Sequence, residues 1–226
     1  MSKSDIIKLC TTYPEIEFIY SYGQTEASPR VTYIKKDDIL KYPGSSGRTI
    51  KGVNLTIQDE NGKVLGNNKE GEIGVTGPNV MRGYYNDSKL TEKVLRNGEL
   101  HTGDLGYVNE EGYLYVTGRK DNMIIISGKN IHPEEVEEII QSYPNVLEVL
   151  VKEKQFGNIK GLVCYIVKDQ DANIEPREIM KFVKDNAEDY KVPREVIFVK
   201  RLEKTLSGKI KRNLDYLEWC TISNIS

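Results

Sequence analysis

Residues 99–137 read ELHTGDLGYVNEEGYLYVTGRKDNMIIISGKNIHPEEVE. This run holds a Thr102-Gly103-Asp104 turn, a hairpin pattern, the joint Gly118-Arg119-Lys120-Asp121, a Ser127-Gly128-Lys129 loop and a helix start. Before it the chain reads as short strands and glycine turns; after it, helices and strands alternate. A change of architecture inside one segment marks a boundary between two domains. The expected division is 1–118 and 119–226, with the joint near Asp121.

Upstream, residues 44–118 are rich in strand signals. Val53, Leu55 and Ile57 alternate with Asn54, Thr56 and Gln58, the period-2 pattern of a half-buried strand. Asn61-Gly62 follows as a hairpin turn signal. Glu72-Ile73-Gly74-Val75 gives another strand, and Tyr107-Val108 pairs with Tyr113–Val116 across Asn109–Gly112. Short strands with glycine turns predict a small barrel or sandwich. Gly44-Ser45-Ser46-Gly47-Arg48 lacks the spacing of a phosphate-binding GxxxxGK[ST] loop and reads as a connecting turn.

Downstream, Pro133 suits a first helical position, and Val136, Ile139, Ile140 and Tyr143 recur at helical spacing. Strands are expected at 146–153 and 161–168. A second helix starts at Pro176 with Ile179, Phe182, Val183, Ala187 and Tyr190 on one face, followed by a strand from Glu195 to Lys200. The order αββαβ predicts a compact α+β module.

Near the start, 4–12 reads as a helix fragment with Ser4 as N-cap, and Ile16–Tyr20 as a strand that needs neighbours on both faces. A strand opening into Tyr22-Gly23-Gln24-Thr25-Glu26 puts polar groups at the carboxyl end of a sheet, where open α/β sheets bind ligands. Thr25 offers a hydroxyl, Glu26 a hard oxygen suited to Mg²⁺, and Tyr22 a flat face; an ordinary strand-to-loop turn is the plainer alternative. At the other end, 191–212 carries eight basic residues against Glu195 and Glu203. It reads either as a solvated basic tail or as a flexible loop, around Gly208-Lys209, whose lysine neutralises charge developing in a site.

Composition narrows the function. A net charge of -2 with 29% charged residues gives no global basic field for nucleic acid. Three widely spaced cysteines, Cys10, Cys164 and Cys220, fit neither a disulfide framework nor a zinc site and suit a reducing compartment. No segment approaches the roughly 18 apolar residues of a membrane span. The expected location is the cytoplasm.

Taken in order, the motifs resemble the AMP-forming acyl- and aryl-CoA synthetases of the adenylate-forming superfamily, which also includes luciferases and peptide-synthetase adenylation domains. The matches are Tyr22-Gly23-Gln24-Thr25-Glu26; Gly71-Glu72-Ile73 with Gly83-Tyr84; Thr102-Gly103-Asp104; Gly118-Arg119-Lys120-Asp121; Gly128 with Ile131 and Pro133–Glu137; and Gly208-Lys209-Ile210-Lys211-Arg212. The resemblance implies a fold of mixed α/β and α+β class. The tail of a large N-terminal domain, with a small β-barrel-like subdomain, would be joined by a hinge to a mobile C-terminal lid. ATP or AMP, Mg²⁺, coenzyme A and a carboxylic acid are the implied ligands.

By the same resemblance Tyr22 would stack on adenine, with Gly23 and Gln24 also in the nucleotide-binding set. Thr25 would touch phosphate, Glu26 would hold Mg²⁺, Asp104 would accept the ribose hydroxyls, and Arg119 would add a charged contact. Lys209 would bridge carboxylate and α-phosphate oxygens; spacing alone does not choose between it and Lys129. Asp121 falls at the hinge, and Ser127, Gly128 and Lys129 would line the path of the thiol. Ser127–Pro133 resembles the CoA ligases more than the peptide synthetases, so CoA is the expected acceptor, with an acyl carrier protein as the alternative.

Three departures accompany the resemblance. The chain has no Gly/Ser/Thr-rich loop ending in Pro-Lys-Gly, Glu203 stands where the family usually has Pro, and Ile125 stands where some relatives have Lys. The expectation is therefore the C-terminal half of such a ligase, inactive as an isolated chain. A non-catalytic accessory fragment is the reading from another class.

Overall fold

The computed structural model describes residues 3–212, with the side chain of Ser4 left aside. The chain divides into two compact units, Met1–Asp121 and Asn122–Ser226.

The first unit opens with helix α1 (Lys3–Thr12), so that Ser4 lies inside the helix rather than capping it. A three-stranded antiparallel sheet follows, β1 (Ile19–Tyr22), β2 (Thr32–Lys35) and β3 (Arg48–Thr49), with helix α2 (Lys36–Lys41) between the last two. Ile34, Ile39, Cys10 and Tyr113 form its core. The Lys36 ammonium donates to the carbonyls of Tyr13, Pro14 and Ile16, tying the segment after α1 to the start of α2. The strand expected at Ile16–Tyr20 instead begins at Ile19 and, among the described residues, pairs with β2 alone. Ile16 and Ile19 are 45% and 55% exposed. Glu17 interrupts the apolar run, so no continuous core-facing surface exists for neighbours to cover.

A five-stranded antiparallel sheet completes the unit: β4 (Asn54–Gln58), β5 (Gly71–Thr76), β6 (Leu95–Arg96), β7 (Glu99–Val108) and β8 (Leu114–Arg119), with helix α3 (Ser88–Val94) before β6. The order is β4-β5-β7, with β6 and β8 sharing the far edge of β7 in series. Register shifts between Glu72 and Gly74 and between Leu105 and Gly106 curl the sheet. Val53, Ile57, Ile73, Val75 and Leu100 form its core with Ala27 and Val31. The alternation of β4 fails at one end, because Gln58 is buried, its amide donating to Glu99 (2.7 Å) and Thr56 (3.0 Å). Thr56 also donates to Glu99 (2.5 Å). Gly74 permits this: a Cβ there would stand 2.4 Å from the Thr56 hydroxyl and 2.5 Å from the Glu99 carboxylate. The Asn61-Gly62 turn forms, with Gly62 at φ +79°, but its return strand is a single bridge from Val64 to Gln58.

The two sheets are sewn together at Ser45–Gly47. Ser46 N donates to Leu114 O, Leu114 N to Gly47 O, and the Ser45 hydroxyl to Leu114 O, each at 2.8 Å. Thr32 donates to Ser46 O at 2.7 Å. These polar groups are all buried and committed to backbone partners, so the stretch is a structural connection rather than a phosphate cradle.

The second unit begins with β9 (Ile124–Ile126) and β10 (Lys129–Ile131), joined by Ser127 and Gly128 at φ +51° and +75°. Two left-handed residues between paired strands are what a two-residue I′ hairpin requires. Helix α4 (Pro133–Gln141) starts on its proline as expected. The sheet has order β11 (Val146–Phe156), β12 (Ile159–Lys168), β13 (Glu195–Phe198); β11 and β12 form a hairpin, and β13 lies parallel to β12 after the crossover helix α5 (Pro176–Asn186). The order αββαβ is present. Alternation along β11 sends Val149 and Val151 to the helices, while Leu150 faces Val199 and Leu202 on the other side. One expectation fails: α5 ends at Asn186, and Tyr190 stands exposed in the one-turn helix Asp189–Lys191, outside the α5 face. Ala187 is already extended (φ -147°), so the helical period cannot reach it.

Gly47 combines φ +92° with a site where a Cβ would lie 1.9 Å from Tyr33 O. Gly47→Ala is expected to destabilise the fold by about 3 kcal/mol or more, from left-handed strain plus a backbone clash. Denaturant unfolding measures this, and an unchanged midpoint would refute the proposed role of the seam.

Candidate functional site

The first unit gathers its candidate residues where β1 leaves its sheet. The chain turns back on itself at Gly23, where a Cβ would meet Pro29 C and O at 2.5 Å. Val31 N donates to Tyr22 O (2.8 Å), and a one-turn helix, Thr25–Ala27, fills the loop. The segment after β5 docks onto it: Met81 N donates to Glu26 O (2.8 Å) and the Asn79 amide to Ala27 O (2.7 Å). This brings the Tyr84 hydroxyl to 2.7 Å from Glu26 Oε1.

Asp104 sits in the middle of β7, 8% exposed. The preceding Gly103 is left-handed at φ +70°, and the Thr102 hydroxyl accepts from Asp104 N (3.1 Å) while donating to Ile73 O (2.8 Å). The Tyr22 hydroxyl donates to Asp104 Oδ2 at 2.6 Å. Arg119, paired with Asp104 across the β7–β8 ladder, brings Nη1 to 3.5 Å from Oδ1. Burial and the Asp104 charge push the Tyr22 hydroxyl well above the ordinary tyrosine range, so it stays a donor at physiological pH. Burial, the Glu26 hydrogen bond and the Glu26 charge raise Tyr84 to about 12.

Of the sequence candidates, Tyr22, Gln24, Glu26, Asp104 and Arg119 thus belong to one unit, with Tyr22, Asp104 and Arg119 in contact. Thr25 and Gly23 are exposed at the rim of the same loop. The Gln24 amide nitrogen is buried without a hydrogen-bond partner among the described residues. Tyr84 is the residue sequence reasoning passed over; it stands in a noted Gly83-Tyr84 pair, but nothing local shows that its hydroxyl reaches Glu26. The site also fits a magnesium ion carried in with phosphates. Glu26 gives a single carboxylate, with Tyr84 on one of its oxygens, and Mg²⁺ takes one or two carboxylates beside substrate phosphates. Among the described residues no cluster of three acidic, His or Cys side chains could hold a metal by itself.

The second unit holds the remaining candidates. Ser127, Gly128 and Lys129 form the tip of the I′ hairpin, with Lys129 Nζ 5.9 Å from the Tyr190 ring centroid. Lys209 lies on a short hairpin, not a loose tail. Lys211 N donates to Glu203 O and Thr205 N to Lys209 O, each at 2.8 Å, and Gly208 turns at φ +83°. Glu203, present where the family usually has proline, pairs with Lys211 (3.4 Å) and closes this loop at its foot. The Lys209 side chain is exposed and has no ion pair or hydrogen bond among the described residues. Asp121 ends the first unit and is exposed. Cys10 and Cys164 are buried thiols, and Cys220 lies outside the described residues. No helix among them is long and apolar enough to cross a membrane.

Residues 2–85 match the family of AMP-binding enzymes, and 135–209 match the AMP-binding enzyme C-terminal domain. The 2-succinylbenzoate–CoA ligase of Bacillus mycoides (strain KBAB4) is 38% identical over 195 residues, 85% of this chain and 40% of that protein. An indoleacetate–CoA ligase of Aromatoleum aromaticum is 34% identical over 201 residues, 88% of this chain and 39% of its own length. Among solved structures, O-succinylbenzoate coenzyme A synthetase from Bacillus subtilis in complex with AMP superposes with TM-score 0.85 at 32% identity, over 92% of this chain and 42% of that one. The same enzyme has been solved with ATP and a magnesium ion. The amide bond synthetase McbA from Marinactinospora thermotolerans superposes with TM-score 0.86 at 27% identity, over 96% and 44% of the two chains. The chain spans about 40% of the length of the curated relatives it matches.

Tyr84 gives the site a signature at high pH. Its folded value of about 12 lies above the ordinary 10.0, so the proton is held more tightly in the folded state. The associated stability is fully present below pH 10 and falls away as the pH rises from 10 through 12. Tyr84→Phe is therefore expected to unfold at lower urea than wild type at pH 9, with the gap closing toward pH 12. Parallel midpoint curves across that window would contradict the upward shift of the Tyr84 hydroxyl.

Proposed function

Because this chain belongs to the AMP-binding enzyme family, we propose that it supplies the nucleotide-holding edge and the lid of an AMP-forming acid–CoA ligase. In the first half-reaction a carboxylate oxygen attacks the α-phosphorus of ATP; the acyl–O–P bond forms, the bond to the β-phosphate bridge breaks, and pyrophosphate leaves. In the second, the CoA sulfur attacks the acyl carbon, the thioester forms, and AMP leaves. The observation that carries this reading is Asp104, a buried carboxylate positioned by the Tyr22 hydroxyl and faced by Arg119.

Two oxygens on one rigid strand suit the paired hydroxyls of a ribose. Tyr22, Gly23 and Gln24 hold the base, Thr25 and Arg119 contact the phosphate or ribose, and Glu26 supplies the protein's oxygen to Mg²⁺. The ion, when bound, neutralises phosphate charge as pyrophosphate departs. Lys209 reaches the carboxylate and α-phosphate oxygens, stabilising charge that grows toward the transition state. Asp121 serves as the hinge at which the second unit turns, and the Ser127–Lys129 hairpin then lines the thiol's path. An acceptor amine in place of CoA is a second reading, favoured by the superposition on McbA.

The test is product analysis with ATP, Mg²⁺, CoA and a carboxylic acid, in the protein that carries this chain. The acids named in the two ligase relatives, 2-succinylbenzoate and indoleacetate, are tried first. Thioester is the expected product; amide formed from a supplied amine, with CoA ignored, would favour the second reading. Lys209→Ala should slow acid-dependent pyrophosphate exchange by about 10²–10³-fold. Asp104→Ala should raise the KM for ATP. Exchange that survives Lys209→Ala at full rate would remove the lysine from the chemistry.

A further inference from the structure

The Lys209 side chain makes no ion pair or hydrogen bond among the described residues, so where its ammonium can reach is decided by how its hairpin is mounted. One foot of the hairpin is apolar and ionic: Leu202 is buried against Val199 and Leu150, and Lys204 pairs with Glu148 on β11. The other foot ends on Arg212, three residues beyond Lys209. Its guanidinium grips Glu137 of α4 with both prongs, Nη1 to Oε1 at 3.0 Å and Nη2 to Oε2 at 2.7 Å. The carbonyl of the same residue accepts from Lys152 Nζ at 2.7 Å. Arg212 is held at both ends.

Glu137 is itself fixed. Its Oε1 accepts from Val151 N at 2.8 Å, a backbone donor that the edge strand β11 would otherwise leave without a ladder partner. Beside it, Glu134 Oε1 takes Arg212 Nη2 (3.2 Å) and the Asn122 amide (2.7 Å), and Asn122 is the first residue of this unit. We propose that Glu137 is a positioning residue for Lys209, setting its reach through the two-pronged grip on Arg212, and that Glu134 extends the same grip to the start of the unit at Asn122. This rests on the reading of Lys209 as the adenylation lysine.

A bidentate arginine–carboxylate pair fixes direction as well as distance, which a lysine in the same place does not. Burial raises the Glu137 carboxyl above the ordinary carboxylate range, and the Arg212 charge and hydrogen bonds work against that rise. A displacement of about 1 Å at the far end of a catalytic group can cost on the order of 100-fold. The grip is therefore expected to matter for the half-reaction that uses Lys209 and not for the one that does not.

The experiment takes the protein that carries this chain, with whichever of 2-succinylbenzoate and indoleacetate turns over, and measures the half-reactions separately. Pyrophosphate exchange reads adenylation; CoA added to preformed acyl-adenylate reads thiol transfer. Arg212→Lys is expected to lower exchange by about 10–100-fold in kcat, with the KM for ATP and the thiol-transfer rate changed by no more than about twofold. Glu137→Gln, milder in charge and shape, is expected to show the same split to a smaller degree, and thermal melts confirm that both variants fold. Equal losses in both half-reactions, or a raised KM with kcat intact, would mean that the grip only holds the fold together and would overturn the proposal. Undiminished exchange in both variants, beside a dead Lys209→Ala control, would overturn it while leaving the family reading in place. An active Lys209→Ala control would overturn both.

Discussion

Burying the carboxylate of Asp104 is the constraint around which the first unit is built. A charge withdrawn from water is tolerated only where partners replace the lost hydration. The partners come from three separate stretches: the Tyr22 hydroxyl from the end of β1, the Arg119 guanidinium from the end of β8, and a backbone held by Thr102 beside β5. The two sheets must therefore keep their mutual placement, because Tyr22 belongs to one and Asp104 to the other. Ser45–Gly47 provides that placement through buried hydrogen bonds to Thr32 and Leu114, one residue from each sheet.

Small residues recur where these layers meet. Gly47 lets the connecting turn lie against the backbone of Tyr33, Gly74 lets Glu99 reach across β5 to Thr56 and Gln58, and Gly23 lets the loop before Glu26 fold onto Pro29. Gly47 and Gly74 stand apart from the polar site, whereas Gly23 lies in its loop. Gly23 and Gly47 set how closely two backbones approach, and Gly74 leaves room for a buried side-chain contact.

Local pattern predicted much of the second unit, because its helices and strands are each amphipathic and connected in simple order. Pro133 and Pro176 start their helices, and Val149 and Val151 separate from Leu150 by strand alternation. Two of the expected element bounds failed where the pattern breaks locally. Ile16–Tyr20 lost its expected strand start because Glu17 breaks its apolar face, and Tyr190 left α5 because the backbone turns extended at Ala187. At the site, the motif positions of Tyr22, Glu26 and Asp104 were legible. The contacts among them were not: Tyr22 and Asp104 are separated by 82 residues, and Tyr84 and Glu26 by 58. Only the folded sheets bring such pairs within reach, and no local periodicity encodes them.

The basic stretch at the end shows how charge in a sequence differs from charge in a structure. Eight basic residues between 191 and 212 suggest a diffuse positive field. In the fold Lys191 pairs with Glu135 and Glu188, Lys204 with Glu148, Lys211 with Glu203, and Arg212 with Glu137. Most of these pairs are partly exposed and contribute little to stability individually. Their effect is selective: side chains engaged with glutamates do not compete for an incoming anion, whereas Lys209 has no such partner to break among the described residues. A lysine that starts without an ion pair can contribute its full charge to a reacting phosphate, provided its backbone is held still. The hairpin closed at Glu203 and Lys211 and anchored at Arg212 holds that backbone, and the ammonium is left to move on its own stem.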